Sequence, residues 1–184
     1  YLVYEEEDAF AFAELGLAYY KIGDEEAALR NFDEAFSLNP GGLRRFYIYR
    51  GLINLENNNV NDAVSDLERA YDYDEGSFDV NLGLVRAYYL QEKFGNAFLK
   101  VEALKSLAET DEQTALVLYW RALIQEKREV PVDALKTWRE LLKMDADVMT
   151  VEMRAEAEQH LISIVTPTNT PKAGTRTPTP RTTA

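Results

Sequence analysis

Residues 12–40 read FAELGLAYYKIGDEEAALRNFDEAFSLNP. Phe12, Leu15, Gly16 and Tyr19 recur at the spacing of one helix face. Gly23 stops that helix, because glycine accepts the left-handed conformation that follows a helix end. Asp24 caps a second helix through its side-chain oxygen, and Glu25 and Glu26 lie in the first turn, where the dipole favours acids. Ala28, Phe32 and Ala35 form the inner face of this second helix, and Pro40 closes it just after Leu38. Gly16, Ala28 and Ala35 are small where two antiparallel helices cross, so the axes can approach to about 8–10 Å. Tyr19 and Phe32 are large and fill the gap toward the next pair.

The same unit returns along the chain. Ala28, Ala63 and Ala97 are 35 and 34 residues apart, and Ala134 follows 37 further on. A step of this size is the signature of a repeated helix pair whose neighbours bury a continuous core. The second unit supplies Tyr47, Gly51, Ala63, Leu67 and Ala70, with Arg50 and Asn54 where the first has Leu15 and Tyr19. Asn58 replaces the glycine between its helices, and asparagine tolerates that geometry. The third supplies Leu84, Tyr88, Ala97, Val101 and Leu104, with Val85 in place of the small residue. The fourth supplies Leu118, Ala122, Ala134, Trp138 and Leu141, and its extra residues predict a longer link around Thr110–Gln113. Residues 148–165 read as a solitary closing helix. Its stripe is Met153, Ala157, Leu161 and Ile164, while Glu152, Glu156 and Gln159 face away.

The pattern resembles the tetratricopeptide repeat: an aromatic, Leu-Gly, Tyr, then Ala, Phe, Ala and a closing Pro. Phe12, Leu15-Gly16, Tyr19, Ala28, Phe32, Ala35 and Pro40 match at every signature position. The resemblance covers roughly residues 9–165 and implies an all-α fold. That fold is a right-handed α-solenoid of about four helix pairs plus a C-terminal capping helix. It also implies that the first helix of each pair lines a partner groove. Carried over by position, the groove residues are Phe10, Leu17 and Tyr20, then Arg45 and Tyr49, then Arg86 and Tyr89, then Tyr119 and Trp120. Lys21, Ile48, Leu52, Asp79, Leu82 and Leu123 belong to the same groove by the same carry-over. A carboxylate clamp of Lys, Asn and Arg, known in one peptide-binding variant, is not expected, because Ala13, Leu17, Ile48, Leu52 and Leu82 are apolar and only Arg86 resembles that set.

Composition narrows the chemistry. The chain has 184 residues, 46% apolar, with no cysteine and one histidine, His160. Disulfides, thiolate sites and cysteine nucleophiles are excluded, and so is a multi-histidine metal site. Net charge is −12, so nucleic acid and anionic lipid are poor primary ligands. No apolar run approaches the roughly 20 residues of a membrane span. The expected chain has no catalytic set, no cofactor and no bound metal. His160 reads as an ordinary amphipathic helix residue lacking a partner nucleophile. Glu5-Glu6-Glu7-Asp8 reads as a solvated helix start, and Asp72, Asp74 and Glu75 as an inter-repeat turn rather than a calcium loop. Tyr1-Leu2-Val3-Tyr4 is an apolar end that pads the first pair or touches a neighbouring subunit.

Two parts are expected: a solenoid with its capping helix over 1–165, and a tail over 166–184, TPTNTPKAGTRTPTPRTTA. The tail carries Lys172, Arg176 and Arg181 and no acid; the remainder has 17 basic and 32 acidic side chains. Thr/Pro composition of this kind stays extended, as linker or stalk, and offers O-glycan acceptors. The candidates are Thr166, Thr168, Thr170, Thr175, Thr177, Thr179, Thr182 and Thr183. The expected partner is a protein or peptide, including a second copy of the chain in a head-to-tail polymer. Two non-enzymatic functions follow: an interaction scaffold, or a structural subunit of an extracellular filament. The tail favours the cell exterior over the cytoplasm.

Overall fold

A computed structural model describes residues 2–165, with side chains from residue 8 onward; the tail and its threonines lie outside the described residues. Within that range the chain forms α1 (Leu2–Lys21), α2 (Glu25–Leu38), α3 (Tyr47–Glu56), α4 (Val60–Tyr73), α5 (Phe78–Leu90), α6 (Phe94–Leu104), α7 (Asp111–Lys127), α8 (Pro131–Leu141) and α9 (Val151–Val165). Two 3₁₀ turns, Arg44–Phe46 and Ala146–Val148, precede α3 and α9. The helices pack as α1 with α2, α3 with α4, α5 with α6 and α7 with α8, and α9 closes on α8. Each second helix also meets the first helix of the next pair, which makes an all-α solenoid.

The turn inside each pair is built the same way four times. Gly23, Asn58, Glu92 and Glu129 all have positive φ, between 58° and 79°. Each stands five residues ahead of its alanine in the ladder. The next residue then donates its backbone N–H to a carbonyl five residues back: Asp24 to Tyr19, Asn59 to Asn54, Lys93 to Tyr88 and Val130 to Gln125, at 2.8–3.0 Å. This satisfies helix-end carbonyls that would otherwise lack partners. Asp24 accepts from Ala27 N–H at 3.0 Å, as its sequence context predicts.

The ladder alanines and their companions are buried: Ala28, Ala63, Ala97, Ala134, Phe32, Leu67, Val101 and Trp138 are all at 0% exposure. Close helix approach requires the glycines. A methyl added at Gly16 would lie 2.8 Å from a ring carbon of Phe32, and one at Gly51 or Gly83 would lie 2.9 Å from Leu67. Two clusters result. The larger runs from α1 to α6 and takes in Val117 and Ile124 of α7. The second joins α7, α8 and α9 through Leu118, Trp138, Leu141 and Ala157. Tyr89 and Trp120 touch both.

Polar clasps tie each pair to the next. Asp33, Glu68 and Glu102 follow one another at 35 and 34 residues on successive second helices. Each accepts a hydrogen bond from the first helix of the following unit: Asp33 from Arg50 at 2.7 Å, Glu68 from the Tyr88 hydroxyl at 2.8 Å, Glu102 from Arg121 at 2.6 Å. This accounts for Arg50, which breaks the repeat pattern. Its guanidinium forks onto Asp66 with two bonds of 2.8 Å, reaches Asp33, and stacks over Phe36 at 4.5 Å.

Three expectations are corrected. Leu15 is 45% exposed rather than packed, because no described element precedes α1 to cover it. Helix α1 begins at Leu2, so Glu5–Asp8 lie inside the helix and not at its start. The longer link spans residues 105–110, so it ends where Thr110–Gln113 begins. Those four residues are the helix start itself: Thr110 Oγ1 accepts from Gln113 N–H at 3.2 Å, and Gln113 Oε1 accepts from Glu109 N–H at 2.7 Å.

Candidate interaction face

The first helices α3, α5 and α7 lie side by side, and α9 continues the row beyond α7 as a wall of the clefts there. Of the groove positions carried over from the family, the structure brings Arg86, Tyr89, Tyr119 and Trp120 together at one end of this face. Two adjoining clefts open there. One, about 510 Å³, is lined by Tyr89, Tyr119, Trp120, Leu123, Glu156, Gln159, His160 and Ser163. The other, about 350 Å³, is bordered by Leu82, Arg86, Tyr119, Trp120, Met153 and Glu156.

The rings set the shape. Trp120 stands between Tyr89 and Tyr119, edge to face with both, at 5.5 Å and 72° and at 5.7 Å and 88°. Tyr119 in turn meets Trp138 at 5.7 Å, and Trp138 stacks on His160 at 5.2 Å. Offset and edge-to-face pairs of this kind hold ring orientation as well as area. The field is negative. Burial first, then the Glu126 charge, raises the Tyr89 phenol above its ordinary value. Burial and a hydrogen bond donated to Glu156 raise Tyr119 further. Arg86 points to Glu56 at 2.6 Å, so its charge is already matched.

The remaining positions form two smaller groups. Tyr20 and Tyr49 meet at 5.2 Å, and Tyr49 also stacks parallel to Phe32. Burial, followed by the nearby Tyr49, Asp79, Glu56 and Glu25, raises the Tyr20 phenol. Leu17 packs half-buried against the main core. Arg45 stands on the 3₁₀ turn ahead of α3, not on the helix. It covers Phe10 at 5.1 Å and Phe46 at 4.6 Å and pairs with Glu14 at 2.7 Å.

Helix α9 supplies what the sequence reading missed. Glu156 and Gln159 do not simply face away; they line the aromatic cleft with His160 and Ser163. His160 also has a partner: Glu126 Oε2 lies 2.9 Å from its Nδ1, and the other oxygen of Glu126 accepts from the Trp138 indole. The signal was present as the spacing 156, 159, 160, 163, a second stripe beside the apolar one. A further recess of about 400 Å³ on another face, lined by Asp33, Arg50, Asn54, Asp66 and Arg69, has its main charges paired with one another. Among the described residues no helix is long and apolar enough to cross a membrane.

No family model matches the chain, and no curated protein matches it. Among solved structures, a thermophilic TPR protein from Thermus thermophilus superposes with a TM-score of 0.62, covering 85% of this chain and 82% of that one at 17% identity. The chain therefore has an all-α solenoid fold like that of a tetratricopeptide-repeat protein.

Proposed function

We propose that the chain is a non-enzymatic interaction scaffold that receives an extended polypeptide on the face lined by its first helices. The observation that carries this is the open cleft walled by Tyr89, Trp120, Tyr119 and Leu123. Half-buried aromatic walls beside a charged rim are what peptide-recognition grooves use, since extended segments dock there with little ordering cost. The TPR protein that superposes on the chain supports a scaffold by analogy of fold alone. In this reading residues 1–165 are the scaffold and 166–184 a separate Thr/Pro segment.

The test is site-directed photo-cross-linking in the native source. A photoreactive residue at Tyr89 is expected to yield cross-links, to a second protein or within the chain itself, and one at Arg139, exposed on α8, is not. Equal yields at both positions, or none at either, sink the proposal. The acidic body and basic tail support a second reading, a filament of head-to-tail copies. Electron microscopy of the purified chain decides it: polymers favour the filament, and single particles at high concentration remove it.

A further inference from the structure

We propose that the cleft between α5, α7 and α9 is a receptor for a Lys or Arg side chain, and that its occupant is the chain's own segment 166–184 folded back from the end of α9. This rests on the reading of the first-helix face as a peptide-binding face.

The rings come first. Tyr89 and Tyr119 flank Trp120 at steep angles, so three aromatic surfaces bound one space, with Glu156 at its edge. Such a cage, closed by a carboxylate, attracts a cation through the ring quadrupoles and the charge together. Elsewhere several aromatic faces carry a cation from within the chain. Arg45 covers Phe10 and Phe46, Arg50 covers Phe36, Lys100 covers Tyr71 and Arg128 covers Phe98. Among the described residues, no Lys or Arg lies over Tyr89, Tyr119 or Trp120. The neighbouring Arg86 is held by Glu56. Burial first, and then Glu126 and Glu156, raise the Tyr89 and Tyr119 phenols, so two carboxylates stand close to these rings.

The segment fits in charge and reach. It has three cations, no acid and four prolines, a residue type that favours extended backbone. It leaves α9 at Val165, two residues after Ser163, which lines the cleft. Glu156 lies nine positions up the helix, about 13 Å at the helical rise. Lys172 is seven positions beyond Val165, about 22 Å away along a polyproline path. The chain can therefore turn back and set Lys172 at the cage. A tethered segment this short has an effective concentration in the millimolar range, above that of any neighbouring copy in dilute solution.

Acrylamide quenching of tryptophan emission tests this on the full chain. Trp138 is fully buried, so the quenchable emission belongs to Trp120. In the variant Lys172→Gln/Arg176→Gln/Arg181→Gln the quenching constant is expected to rise at least twofold. A synthetic 166–184 peptide should restore protection in that variant. In the parent, protection should hold unchanged over a hundredfold dilution. Equal quenching in parent and variant overturns the proposal. Protection that fades on dilution also overturns it, and assigns the contact to a neighbouring copy. If quenching is equal while cross-links at Tyr89 persist, the tail is not the occupant but the interaction face stands. Loss of those cross-links removes the face itself.

Discussion

Arg50 sits where the first and third units carry Leu15 and Leu84, and its surroundings have been rebuilt around the charge. Burial disfavours the guanidinium; the Asp66 bonds and charge, then those of Asp33, more than offset this and hold it protonated. Asp66 is itself buried, with 4% of its side chain exposed. Arg50→Leu is therefore expected to cost about 3–5 kcal/mol, because it strands a buried carboxylate, while Arg50→Leu/Asp66→Leu should recover most of it. Urea denaturation of the four members of that cycle measures the difference, and additive losses would refute the pairing. Glu92 and Glu129 show a second residue-scale cost. Both occupy the left-handed turn position that Gly23 and Asn58 fill elsewhere. Glu129→Gly should raise stability by about 1 kcal/mol through relief of that conformation; a lower denaturation midpoint would contradict it. The turns at Gly23 and Asn58 were legible because those residue types announce positive φ. Those at Glu92 and Glu129 were not, since glutamate carries no such signal and only the repeat register places it there.

The closing helix α9 is held on one side by Ala157, with Met153, Leu161 and Ile164 packed around it. Its polar side is held by the Trp138–His160 stack and the Tyr119–Glu156 bond. Ala157→Glu places a charge at a fully buried site and should release α9 alone. Hydrogen exchange is expected to show lost protection over 151–165 with α1–α6 unchanged; loss across the whole chain would mean that the repeats do not act as separable units. The apolar stripe of α9 could be read from spacing. The cleft it walls could not, because the facing residues, Tyr119 and Trp138, belong to two other helices and their approach depends on how α7 and α8 cross. The inter-unit clasps were hidden for a similar reason. Asp33, Glu68 and Glu102 keep the period, but their donors, Arg50, Tyr88 and Arg121, do not share one repeat position.

Four phenols, on α1, α5 and α7, are protected from ionisation: Tyr20, Tyr89 and Tyr119 are all raised, chiefly by burial, and Tyr88 is pushed up to about 12 by burial and by Glu68. The folded state thus favours neutral tyrosine. Its contribution is complete below the unfolded value near 10. It falls away as pH rises through the folded value of Tyr88, about 12. Helical circular dichroism should therefore decline in step with late tyrosinate absorbance over that window, and Tyr88→Phe should remove one late-titrating phenol. Ionisation of every phenol near its ordinary value, with helicity intact, would refute this. At this scale the stacking of pairs was legible from the alanine ladder, whereas the gathering of aromatic rings at one end of the face was not, because the ladder marks where helices cross and not what their outer faces carry. That placement has a mechanical consequence. Load applied through the C-terminal segment reaches α9 first, and α9 packs mainly against α8. It should peel before any pair opens, lengthening the molecule by about 30 Å as its 15 residues straighten. Because α9 is also a wall of the aromatic cleft, tension on that end would take the proposed binding surface apart while the solenoid behind it still bears the strain.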